Sequence, residues 1–70
     1  MNLRNAEEGK EYIIKEFTTD DDELDAFLFS LGCYSGEKIT VVRRLKANLI
    51  VAIKNGRYSI DNQLAEVIMV

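Results

Sequence analysis

Seventy residues allow one compact core and exclude a second domain, because a shorter chain would bury too small a fraction of its surface to support two. With 47% apolar and 30% charged residues, four glycines and no proline, the composition excludes a disordered tail and predicts a folded domain. A net charge of −3 conceals an asymmetry that argues against nucleic acid: residues 1–37 hold ten of the twelve acids, and the six bases of residues 38–70 are scattered except at Arg43, Arg44 and Lys46.

Residues 2–8 are polar apart from Leu3 and Ala6, and Gly9 permits a turn before Glu11–Phe17. There Tyr12, Ile13, Ile14 and Phe17 predict a first strand. After the polar run Thr18–Glu23, Leu24, Phe27, Leu28 and Leu31 recur at i, i+3, i+4 and i+7, which predicts an amphipathic helix from about Asp21 to Leu31. Gly32 stands where a left-handed cap ends such a helix.

The alternation in Glu37–Arg44 predicts a second strand, with Ile39 and Val41 on one face and Thr40, Val42 and Arg44 on the other. Beyond Lys46-Ala47-Asn48, the nearly continuous apolar run Leu49–Lys54 predicts a third strand. Asn55-Gly56 signals a type I′ hairpin into a fourth strand, Arg57–Ile60. Asp61–Leu64 reads as a turn or a single helical turn, and Ala65–Val70 as a final strand. The expected fold is mainly β: a small barrel of about five strands with one short helix after the first, closed by pairing of the last strand with the first.

The absent chemistries are informative. Without histidine there is no Ser-His-Asp or Cys-His nucleophile, and a barrel this small leaves no pocket for paired carboxylates, so no enzyme is expected. One cysteine cannot make a disulfide or a soft-metal site, and no secretory signal pattern is present; both point to a reducing, cytoplasmic setting. No apolar stretch reaches the ~20 residues of a membrane-spanning helix. Asp20, Asp21, Asp22, Glu23 and Asp25 could offer oxygen ligands to a divalent ion, but they match no EF-hand spacing, and one of Asp20–Asp22 capping the helix explains the cluster. Cys33 fits a small buried hydrophobe better than a redox sensor. Phe29 falls about 140° from Leu24 around the helix, off the apolar stripe, where it is either an exposed contact anchor or covered by a loop.

The order of strand, short helix and Leu28-x-x-Leu31-Gly32-x-x-x-Gly36, then Ile39–Arg44, resembles the ferrous iron transport protein A (FeoA) family. A hairpin glycine at Gly56 and the ending Ser59-Ile60 then Ala65-x-x-Ile68-x-Val70 continue the resemblance over nearly the whole chain. It implies an SH3-like barrel and a cytoplasmic accessory protein acting on the cytosolic GTPase part of the membrane transporter FeoB, with iron as cargo and no cofactor. This sequence departs from the family's frequent basic helix residues at Asp25, Ala26 and Phe27.

The leading expectation is therefore a regulatory binding module. Its contact surface would comprise Phe29 and Tyr34 as anchors, the turn containing Cys33, and the loop at Leu45, with Arg43, Arg44 and Lys46 steering orientation. A metal-responsive module using the acidic cluster is one alternative. A general SH3-like peptide-binding domain is another, poorly served by three tyrosines and no tryptophan.

Overall fold

The computed structural model describes residues 1–70. Its strands are β1 (Glu11–Ile13), β2 (Glu16–Phe17), β3 (Lys38–Arg44), β4 (Asn48–Ile53), β5 (Gly56–Asp61) and β6 (Ile68–Met69). Two helices join them, α1 (Asp22–Ser30) after β2 and α2 (Asn62–Val67) before β6, and a single 3-10 turn spans Leu3–Asn5. One antiparallel sheet runs β1-β3-β4-β5, and a second pairs β2 with β6.

The expected first strand is thus two strands, because the chain changes partners in its middle. Ile14 N–H donates to Glu37 O at 2.9 Å, at the end of the large sheet, and the next N–H, Lys15, donates to Met69 O at 2.8 Å in the small one. This corner lets the last strand close against the first, as the barrel expectation requires.

Three other differences have local causes. Asp61 caps a helix, its Oδ1 accepting Leu64 N–H at 2.7 Å, so Asn62–Val67 is helical where a strand was expected from Ala65, and only Ile68–Met69 is extended. The hairpin turn falls on Lys54-Asn55 instead of Asn55-Gly56: Ile53 pairs with Gly56, and Lys54 takes the positive φ of 53°. The glycine at 56 serves packing, since a Cβ there would collide with the Tyr58 ring. The N-terminal segment, which carries little sequence signal, buries Leu3 and Ala6 and bridges Asn2 to Met69.

One core of fourteen buried residues fills the interior, all of them apolar or cysteine. Alternation delivers it: Ile39 and Val41 from β3, on one face as the period-two pattern predicted, and Leu49, Val51 and Ile53 from β4, where the nearly continuous apolar run left the inward face open, all point inward. An extra residue at Val42, between the pairs Val41–Val51 and Arg43–Ile50, bulges β3 and turns its end toward the N-terminal segment. From α1 only Leu28 is fully buried; Leu24 and Leu31 are half-buried and Phe27 is 49% exposed, so the predicted stripe is shared between core and surface.

Candidate functional site

The candidate site grows out of the way α1 ends. Asp21 starts the helix, its Oδ1 accepting Glu23 N–H at 3.0 Å and Leu24 N–H at 3.2 Å. At the other end, Cys33 N–H donates to Leu28 O and Gly32 N–H to Phe29 O, both at 2.9 Å, the paired bonds of a Schellman cap. Gly32 supplies the left-handed φ of 85° that this cap demands. The reversal carries Tyr34 back beside the helix, where its ring centroid lies 5.5 Å from that of Phe29 at an interplanar angle of 40°.

Phe29, off the apolar stripe as expected, is 68% exposed. It borders a shallow depression of about 530 Å³ together with Gly32, Tyr34, Lys54 and Tyr58. Lys54 reaches over from the β4–β5 turn: its Nζ donates to the Tyr34 hydroxyl and lies 4.8 Å from the centre of that ring. The hydrogen bond holds the ammonium pKa above the ordinary lysine value. The result is an open aromatic face of three rings with one cation, suited to an apolar side chain accompanied by a negative group.

Sequence reasoning missed Lys54 and Tyr58. They join the face only because the hairpin returns β5 beside the end of α1, a non-local event with no local signature. The proximity of Phe29 and Tyr34, by contrast, was legible in the helix stop at Gly32.

The other residues expected at the contact lie elsewhere. Cys33 is 1% exposed in the core, and burial pushes its thiol up to about 11, so the turn presents Tyr34 and withdraws the sulfur. Leu45 and Lys46 are exposed in the β3–β4 loop, beyond the Asn48 end of β4, and Arg43 is exposed near the end of β3, opposite Ile50, whereas Lys54 follows the Ile53 end of β4. The loop and the aromatic face are therefore separated by the length of a strand. Arg44 is structurally engaged: its guanidinium donates to the carbonyls of Arg4 and Ala6, and its backbone N–H to Glu8 Oε1 at 2.7 Å. That clamps the N-terminal segment and removes Arg44 from a steering role.

Asp20, Asp21, Asp22, Glu23 and Asp25 do not converge into a group able to hold a metal ion. Asp21 is the helix cap, as the simpler reading of the cluster had it, and Asp22, Glu23 and Asp25 occupy the first turn. A second depression, about 320 Å³, runs between the helices and is lined by Leu24 and Phe27 of α1 and by Leu64 and Val67 of α2, with Asp61 and Gln63. No helix is long and apolar enough to cross a membrane.

Comparison with known proteins bears on this geometry. The FeoA domain model matches residues 1–70. No curated protein matches the sequence. Among solved structures, an iron uptake regulatory protein (FeoA) superposes with a TM-score of 0.87 at 20% identity, over 97% of this chain and 91% of that one. A Stenotrophomonas maltophilia FeoA complexed with zinc, described as a prokaryotic SH3 domain protein, superposes with a TM-score of 0.86 at 18% identity, over 99% and 87%. The FeoA protein of Chlorobium tepidum gives 0.87 at 21% identity, over 99% and 67%. At these identities the structural likeness establishes the fold, an SH3-like one.

Proposed function

Because the chain belongs to the FeoA domain family, we propose that it is a non-catalytic accessory factor of ferrous iron transport, docking as one domain onto the cytosolic GTPase part of a FeoB-like transporter. The Stenotrophomonas protein is described as a candidate ferrous iron transport activating factor, which supports the same role for this chain. The reading places it in the cytoplasm.

One observation on the molecule itself carries the docking surface. Phe29 holds a large aromatic ring in solvent and packs it, tilted, against Tyr34, beside the Lys54 cation, which is in no ion pair and has Glu37 as its carboxylate neighbour. Exposed aromatics in a rigid frame are the residues that dominate binding energy when a partner covers them. Lys54 supplies orientation by pairing with a partner carboxylate. Leu45 and Lys46, a strand length away, and Arg43, on the neighbouring part of β3, belong to this contact only if the partner wraps the end of the barrel.

The test is capture of the cognate transporter's purified cytosolic domain, followed by titration. Phe29→Ala and Tyr34→Ala are each expected to weaken the complex by at least about tenfold, the order associated with an anchor worth more than 1 kcal/mol. A demonstrated complex indifferent to both changes would remove this face from the interface, and absence of any complex would remove the transporter reading.

A further inference from the structure

We propose, on the reading that Phe29, Tyr34 and Lys54 form a docking face, that the partner protein binds it by strand addition. An extended partner segment that alternates apolar and acidic residues pairs with the open edge of β5 and seats an apolar side chain among the aromatic rings. β5 is an outer strand of the four-stranded sheet, paired with β4 alone. Such a strand leaves the N–H and C=O of every second residue free to template another chain.

The register fixes which residues these are. Leu45 N–H donates to Asn48 O at 2.8 Å, so Asn48 and, two residues on, Ile50 turn their main-chain groups toward β3. Leu49, Val51 and Ile53 then turn theirs toward β5, where they meet Ile60, Tyr58 and Gly56. Arg57 and Ser59 are left aiming N–H and C=O outward, and no loop hydrogen bond involves the main chain of either. Both residues are exposed. The other outer strand of the sheet, β1, has three residues against the six of β5, which makes β5 the longer template.

Pairing at this edge delivers side chains to surfaces that can receive them. A residue directly opposite Tyr58 shares its face of the sheet, and Tyr58 lines the depression with Phe29, Tyr34 and Lys54. That position suits an apolar or aromatic side chain. Residues opposite Arg57 and Ser59 fall on the other face, where the Arg57 guanidinium is exposed and forms no ion pair. A carboxylate opposite Arg57 gains a cross-strand ion pair, whereas a cation there meets like charge. Lys54, also outside the ion pairs, adds positive charge where β4 turns into β5. Apolar residues alternating with acids are thus the complement of this edge.

The probe is a blocked heptapeptide in which glutamate alternates with valine around a central phenylalanine, titrated to about 1 mM into the isotopically labelled full chain. Binding should shift the amide resonances of Arg57 and Ser59 and slow their exchange, while Tyr58 and Ile60, already bonded to β4, change less. Methylating the backbone nitrogens of the two glutamates beside the phenylalanine should weaken binding by at least about tenfold, as should replacing all the glutamates by lysine. These changes leave the protein untouched, so its folding is not in question. A peptide that does not bind, that binds equally when methylated, or that moves the rings of Phe29 and Tyr34 without the amides of Arg57 and Ser59 overturns strand addition. Capture of the transporter's cytosolic domain separates the two readings. A captured domain that leaves exchange at Arg57 and Ser59 unchanged overturns strand addition and keeps the docking face; peptide binding without capture keeps strand addition and removes the transporter.

Discussion

The rings of Phe29 and Tyr34 meet at 5.5 Å across the turn that ends α1, and the glycine between them in sequence, Gly32, is what allows it. An α-helix alone would carry residue 34 onward along its axis, away from residue 29. The cap folds the chain back and turns two separate side chains into one surface. The two rings therefore act as a unit: in binding to a partner, Phe29→Ala and Tyr34→Ala should be non-additive, with a coupling of about 0.5–1.5 kcal/mol in a double-mutant cycle. Phe29→Ala alone should leave unfolding free energy within about 0.5 kcal/mol of the parent, because its ring is mostly in solvent.

Two glycines should respond differently to alanine. Gly32→Ala forces a side chain into the left-handed region, although the nearest atom, Ile53 Cγ2 at 3.6 Å, leaves room for it. The expected loss is about 1–2 kcal/mol in urea denaturation, whatever the neighbours. Gly56→Ala meets the Tyr58 ring instead and should cost about 1–3 kcal/mol. In a Tyr58→Ala background that second cost should vanish, while the cost at Gly32 should persist.

Adjacent arginines should likewise separate. Arg44→Ala strips the carbonyls of Arg4 and Ala6 of their donor and loosens the segment that buries Leu3, for a loss of about 1–3 kcal/mol. Arg43→Ala, on an exposed side chain with no ion pair, should change stability by less than about 0.5 kcal/mol. Amide exchange at residues 1–8 would locate the effect of the Arg44 change.

Cys33 predicts an alkaline limit. Burial raises the thiol from 9.0 to about 11, so above pH 9 the unfolded chain releases a proton that the folded chain retains. Protons bound by the unfolded state are then fewer, and stability must fall as pH rises from about 9 to about 11, by at most about 3 kcal/mol. Cys33→Ala should abolish this part of the alkaline slope while lowering stability at neutral pH. The native thiol should also react with a disulfide reagent at pH 8 only as fast as the protein opens.

Asp21→Ala should cost about 1 kcal/mol through loss of the α1 cap. Asp20→Ala, one residue earlier, should cost almost nothing, and comparing the two by urea denaturation separates a cap from a general effect of negative charge.

Where pattern is local, the sequence alone determined the outcome. The alternation of Ile39 and Val41 against Thr40, Val42 and Arg44 set the two faces of β3, since side chains on a pleated strand alternate regardless of context. The i, i+3, i+4 spacing, the aspartates before it and Gly32 after it set α1 to within a residue at either end. The same helical period placed Phe29 off the apolar stripe, whereas its exposure depended on no loop folding over it.

Only the tertiary structure decided which surfaces these elements make together. The division of Glu11–Phe17 into β1 and β2 depends on Glu37 and Met69, both distant in sequence. The stripe residue Phe27 stays half in solvent because α2, foreseen as at most a single helical turn at Asp61–Leu64, meets α1 at a groove and does not cover it. Lys54 joins Phe29 and Tyr34, while Leu45 and Lys46 are carried to the far end of β4, because an antiparallel strand puts its two flanking loops at opposite ends of the barrel. Hydrophobic period and capping chemistry are properties of a few neighbouring residues, whereas the composition of a surface depends on how strands pair across the whole chain.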